Sequence, residues 1–282
     1  GSVMRAVYEQ PALARQDGLW MLNNKRWGRI GGINGHGYNL TIGKDFLFDE
    51  HGYYGLLFDY GSNTVSGAAG SGEYDSYSLG LYAGNKNKPG SITGFVSYGL
   101  QANKGTAYLP VLGQTAESGY DSKTLGIGVE YAYDLDYGKP EELWHVSPYA
   151  RLNFTHYRQK AFREHGAGVF DRSFGSYSDN YAEGELGLSF DRSEGTGGYG
   201  IRLGYKRILA GERQLMEVCF AEDECGSLLP VRSWGEGRNH FVAAAYVRHD
   251  FSRKWSAGGS LSGDWSNGGR EIGARLDLAY HF

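Results

Sequence analysis

The chain of 282 residues has little cysteine (2) and little proline (6). It also lacks any run of about 18 apolar residues, which excludes membrane-spanning helices. Neither sign of charge dominates: 28 basic and 32 acidic residues leave a net charge of −4. No basic surface competes for a phosphate backbone, so no nucleic-acid partner is expected. The 45 glycines follow no three-residue period, which excludes collagen, and proline is too scarce for a low-complexity linker. No glycine loop ending in Lys-Ser or Lys-Thr is present to cradle a nucleotide phosphate. What is present argues against disorder: 22 Tyr, 13 Phe and 6 Trp. The negative mean hydropathy suits a soluble β protein, and equally a membrane β-barrel, whose alternating strands average out as hydrophilic.

The C-terminal segment shows the pattern best. Ile272, Ala274, Leu276, Leu278, Tyr280 and Phe282 are apolar, while the intervening positions include Glu271, Arg275, Asp277 and His281. Period-two alternation is a strand with one apolar and one polar face. The segment before it runs Trp255, Ala257, Gly259, Leu261, Gly263, Trp265, and Asn267-Gly268-Gly269 between the two is hairpin-turn chemistry. The alternation recurs upstream, through Tyr199/Ile201/Leu203/Tyr205 and Leu125/Ile127/Val129/Tyr131/Tyr133 back to Tyr38/Leu40/Ile42, with Leu19 to Ile30 the weakest. About twelve strands of roughly ten residues result, long enough to cross a bilayer when tilted.

Both a soluble sandwich and a membrane barrel accept such strands. Aromatics at strand ends, glycines on the faces and the absence of helices to cover a sheet favour the barrel. Its polar face, expected to line a lumen, carries Glu130, Arg151, Glu183, Glu185, Arg202, Lys206, Arg248, Arg275 and Asp277. Connection lengths agree. Short turns near 48–52, 85–90, 135–144, 191–198 and 251–254 alternate with mostly longer connections near 61–73, 104–119, 159–177 and 209–238. That is the asymmetry of outer-membrane barrels. Inner-face glycines such as Gly126, Gly128, Gly187, Gly200 and Gly204 are expected either to widen the lumen for a threaded chain or to let a small barrel curve.

Cys219 and Cys225 sit six residues apart in the longest connection, without the further ligands a zinc site needs. They read as a disulfide-closed loop in an oxidising compartment rather than as free thiols. Gly1-Ser2 reads as a cloning remnant, so upstream sequence is expected to be missing. Val3 to Gln16 lacks alternation and contains helix formers around Pro11. A short helix in or near the lumen is expected there, where a polar wall suits Arg5, Glu9 and Arg15; a disordered end is the alternative. Residues 1–17 are thus set apart from an all-β barrel domain at 18–282.

From about Gly18 to Phe282 the chain resembles the C-terminal translocator β-domain of autotransporters, the type V secretion proteins of Gram-negative bacteria. The stretches that carry the likeness are Tyr74-Asp-Ser-Tyr-Ser-Leu-Gly-Leu-Tyr82, Tyr120-Asp-Ser-Lys-Thr-Leu-Gly-Ile-Gly-Val-Glu130, Val146-Ser-Pro-Tyr-Ala-Arg-Leu152 and Leu276-Asp-Leu-Ala-Tyr-His-Phe282. The resemblance implies a twelve-stranded antiparallel transmembrane β-barrel in the bacterial outer membrane, exporting and anchoring its own N-terminal passenger. It also implies an assembly signal, Leu278, Tyr280 and Phe282, read by the barrel-assembly machinery, with periplasmic chaperones and outer-membrane lipid as further partners. A monomer without cofactor, metal or enzymatic activity is expected. Some members of the family cut themselves between two asparagines of the lumen helix, but Asn23-Asn24 falls in the first strand.

Two other classes of function stay open at this point: a passive porin-like channel or adhesin barrel, and a barrel hydrolase. For a hydrolase, His156 lies on the apolar face without a Ser beside it in its own strand, and Asp75, Asp121, Asp179 and His240 lie near the outer rim.

Overall fold

Alternation becomes strand along most of the chain. The computed structural model describes residues 2–8, 17–87, 89–110, 113–135, 144–211, 215–220, 229–232 and 237–282. A helix, α1 (Ser2–Tyr8), precedes β1 (Gly18–Ile30), β2 (Ile33–Leu47), β3 (Gly52–Gly67), β4 (Gly70–Asn85), β5 (Gly90–Leu109), β6 (Gln114–Tyr133) and β7 (His145–Gln159). Then come the short β8 (Phe162–Arg163) and β9 (Arg172–Phe174), β10 (Tyr177–Glu194), β11 (Gly197–Ala210), the short β12 (Leu215–Phe220) and β13 (Leu229–Arg232), β14 (Asn239–Asp250), β15 (Trp255–Ser266) and β16 (Gly269–His281).

Twelve strands close into an antiparallel barrel in the order β1-β16-β15-β14-β11-β10-β7-β6-β5-β4-β3-β2. Closure joins the first strand to the last, with Gly18 opposite His281 and Ile30 opposite Gly269. A closed ladder leaves no strand edge and satisfies every strand from both sides, which a chain in hydrocarbon requires. The apolar faces point outward: Leu79, Leu186 and Leu276 are 66%, 66% and 71% exposed. Exposure on that scale around a whole barrel fits a hydrocarbon surround and not water. Aromatic clusters border the apolar band. Tyr38, Tyr60 and Tyr77 lie 6.0 and 5.2 Å apart in sequence order, and Phe46 and Tyr54 stack at 5.1 Å toward the end that bears the chain's C-terminus.

Two expected loops are strand instead. The stretch 61–73 is a continuous hairpin in which β3 and β4 stay paired as far as Gly67 opposite Gly70. Likewise β5 and β6, each 20 residues, stay paired through 104–119 as far as Leu109 opposite Gln114. Ladder bonds are made by backbone, so pairing continues above the membrane where side-chain hydropathy no longer alternates. The connections 159–177 and 209–238 are long as expected. Within them β13, β12, β9 and β8 form a second, four-stranded sheet in that order, in which Tyr120 of β6, Phe162 and Phe174 stack at 4.2 and 4.5 Å.

Asn23 and Asn24 lie on β1, opposite Leu276 and Arg275. The inner-face glycines serve mainly as sockets for inward aromatics of the barrel itself. A Cβ at Gly187 would sit 2.5 Å from the Tyr149 ring.

Candidate functional site

The lumen is the candidate site, and α1 fills its middle. A seven-residue helix is far below the length that is stable alone, so its contacts hold it. Val3, Ala6, Val7 and Tyr8 are buried in one cluster with Trp20, Leu22, Tyr53, Leu57, Tyr82, Phe95 and Ala279 of the wall. Each such apolar side chain contributes about 1.5–3 kcal/mol when fully buried. Tyr8 meets Phe95 edge-on at 5.5 Å. Room for it comes from Gly128, where a Cβ would lie 2.6 Å from Tyr8 Oη. Glu9 and Arg15, expected to face the wall, lie outside the described residues.

Around α1 the polar wall forms paired networks. On β6, β7, β10 and β11, Arg151 Nε donates to Glu130 at 2.5 Å and its Nη1 to Glu185 at 3.4 Å. Arg202 Nη2 donates to the other Glu130 oxygen at 3.2 Å, and Tyr149 Oη to Glu185 at 2.7 Å. This cluster grips the helix. Arg202 Nη1 donates to the Tyr8 carbonyl at 3.3 Å, and the Arg151 guanidinium lies 4.9 Å from the Tyr8 ring centre.

A second network lies nearer the end with the long connections. Lys206 pairs with Asp264 and stands 4.0 Å from Glu183, which accepts from Asn153 at 3.1 Å and Tyr181 at 3.2 Å. His240 Nδ1 is 2.6 Å from Asp264 and its Nε2 3.0 Å from the Gly237 carbonyl. Arg5 of α1 reaches Glu271 at 2.6 Å, with Arg26 3.8 Å from the same carboxylate.

The expected lumen residues therefore divide. Glu130, Arg151, Glu185 and Arg202 come together against Tyr8, and Glu183 joins Lys206. Arg275 and Asp277 pair with each other at 2.8 Å, and Arg248 bonds Asp250 at 3.1 Å. Sequence reading missed Glu271 and Asp264 as partners, and also Asp59, fully buried and accepting from Thr41 at 2.6 Å and Asn39 at 3.2 Å. Their inward parity was readable; which cation each would meet depended on register.

For a hydrolase, the residues do not assemble. His156 Nδ1 meets Asn180 at 2.9 Å across the sheet, and its other cross-strand neighbour is Leu125, so no Ser is opposed to it. His240 is buried against Asp264. Cys219 is buried and disulfide-bonded; Cys225 lies outside the described residues. Phe282 is 66% exposed beside Tyr280, with Lys44 Nζ 5.3 Å from its ring centre.

A family model described as autotransporter beta-domain matches residues 19–262. A comparison with curated protein sequences finds no match. Among solved structures, the chain is similar to the translocator domain of the autotransporter NalP from Neisseria meningitidis, at 18% identity and TM-score 0.82, covering 100% of this chain and 94% of that one. The beta domain of the Bordetella autotransporter BrkA is similar at 14% identity and TM-score 0.68, covering 95% and 100%. The transport unit of AIDA-I from Escherichia coli follows at 12% identity and TM-score 0.62, covering 100% and 97%.

Proposed function

The chain belongs to the autotransporter beta-domain family, and from that premise we propose how its lumen serves export. The protein is an outer-membrane translocator barrel, a role that implies an exported passenger. Residues 1–17 act as the linker that follows the passenger through the pore, and 18–282 as the barrel that guides and then anchors it. The observation that carries this reading is the seating of α1, with Tyr8 under Arg202 and Arg5 on Glu271.

The wall suits passage as well as retention. Glu130, Glu183, Glu185, Arg151, Arg202 and Lys206 neutralise one another, so an extended chain meets hydrated, paired charge rather than a field of one sign. Arg248, Arg275 and Asp277 extend that lining. No bond chemistry is required of the barrel; folding of the passenger outside drives export. Leu278, Tyr280 and Phe282 present the assembly signal to the barrel-assembly machinery, after periplasmic chaperones deliver the chain. A disulfide between Cys219 and Cys225 closes the tip of the longest outer connection, and the barrel works as a monomer.

The test is display. An epitope fused before residue 2, behind a secretion signal, becomes accessible to added protease on intact cells. An assembled barrel whose epitope stays in the periplasm would overturn the proposal.

A further inference from the structure

The outward face of the barrel carries one charge arrangement that translocation does not use. Arg29 of β1 stands directly opposite Arg270 of β16. Both are exposed, and both share the outward parity of the lipid-facing Met21, Ile272 and Leu276. Side chains so opposed lie about 5 Å apart at Cβ, and like charges there are destabilising. Neither arginine has a carboxylate or other hydrogen-bond partner among the described residues. Lys25, on the same face of β1, passes its ammonium 5.3 Å from the Trp27 ring centre. Trp265 stands opposite Arg270 on the other side.

The placement is specific. The pair sits at the end of the barrel that bears the long connections, level with Trp27 and Trp265, which are half-exposed as interfacial tryptophans are. The outward face of β15, β16, β1 and β2 carries no carboxylate among the described residues: Asp264, Glu271, Asp277 and Asp45 all point inward. Elsewhere at this end, Lys104 stands opposite Glu73, and the opposed Lys123 and Arg158 have Asp121 on the same face, 3.7 Å from Lys160.

We propose that Arg29 and Arg270, with Lys25, bind a phosphate of an outer-leaflet glycolipid whose acyl chains lie against the apolar face of β16 and β1. Two guanidinium forks around one phosphate convert the repulsion into charge-assisted hydrogen bonds. The outer leaflet of a Gram-negative outer membrane supplies such phosphates at this depth, and an adjacent apolar band accepts the lipid chains. The site needs only the outer-membrane placement of the barrel and is independent of whether α1 is a passenger linker.

The experiment titrates the refolded 282-residue protein in detergent with phosphorylated lipid A, with lipid A stripped of both phosphates, and with inorganic phosphate. Native mass spectrometry reads binding, and the heat-induced gel shift reads stability. The wild type is expected to retain phosphorylated lipid A and gain stability from it. R29Q/R270Q is expected to bind it at least about tenfold more weakly, and K104Q to bind as the wild type does. R270E faces Arg29 with a carboxylate. It is expected to be more heat-stable than the wild type without lipid and to gain nothing from lipid, a result that decides the matter even if R29Q/R270Q fails to fold. Equal binding of the dephosphorylated lipid, equal losses in K104Q, or full lipid-dependent stabilisation of R270E would each overturn the proposal. Complete competition by millimolar inorganic phosphate would overturn the lipid as occupant.

Discussion

Arg5 of α1 and Glu271 of β16 meet at 2.6 Å, joining a helix that has no strand partner to the strand that closes the barrel. Both side chains keep partial access to water, at 21% and 35%, so the pair contributes about 1 kcal/mol and not the larger value of a dry ion pair. Glu271→Gln should loosen α1 without harming the barrel. Single-channel recordings in planar bilayers should show more frequent openings, with the heat-induced gel shift unchanged. Openings as rare as in the wild type would count against the contact as a latch.

Arg151 stands between two buried carboxylates, Glu130 and Glu185. Arg151→Met leaves Glu185 without its guanidinium partner and Glu130 with Arg202 alone, and such unpaired burial costs about 3–5 kcal/mol. The variant should unfold at lower denaturant than the wild type. Adding Glu185→Gln should recover much of the loss, because Glu130 keeps Arg202 and no buried carboxylate is then left alone.

Gly128 admits Tyr8. Gly128→Ala places a methyl carbon against the Asn153 side-chain oxygen, 2.5 Å from the Phe95 ring and 2.6 Å from Tyr8 Oη. Overpacking of this kind costs about 1–3 kcal/mol, and the cheapest relief is displacement of the seven-residue helix. Proteolysis of the N-terminal segment should quicken while the barrel stays resistant; combining the change with Tyr8→Ala should ease the strain at Phe95.

The Phe282 ring lies beside Tyr280 and the Lys44 ammonium, its backbone N–H donates to the Asp17 carbonyl at 3.0 Å, and the residue is largely exposed. Phe282→Ala should therefore change the stability of the refolded barrel by less than about 1 kcal/mol. Its assembly in cells should fall several-fold, read as the fraction of heat-modifiable barrel in outer-membrane extracts. Normal assembly would remove Phe282 from the signal.

At the turn between β2 and β3, the Asp49 carboxylate accepts the backbone N–H groups of His51 and Gly52 at 2.7 and 2.5 Å. These bonds hold its pKa below the ordinary carboxylate value. A depressed folded-state pKa means that the ordering of the turn is present above the unfolded value and is lost as pH falls through the folded one. The Gly52 amide proton should move upfield across that acid range, and Asp49→Asn should flatten the titration.

Much of this was readable from residue order. The alternation around Leu276 located a strand and both its faces, because a strand side chain has only two directions to point. Even the weak segment Leu19–Ile30 forms a strand, since closure requires a partner for β16 on its free edge. The stretches 61–73 and 104–119 were misread as loops, because hydropathy reports the surroundings of a strand and not its backbone pairing. His240, placed near the outer rim by position, lies at that end of β14 and is buried there against Asp264 of the neighbouring strand, which position alone did not show.

The residue sequence by itself determined the number of barrel strands, the oily exterior and the polar parity on which Glu130, Arg151 and Glu185 lie. Period two is a local property of extended chain, and nothing distant alters it. Only the tertiary structure decided which charge meets which: that Arg202 reaches across from β11 to Glu130 on β6, that Arg29 faces Arg270, and that Tyr8 rests against Arg151. Those contacts depend on the stagger between strands and on the closure of the ring. Both are set by the sum of all twelve pairings and are written in no single segment.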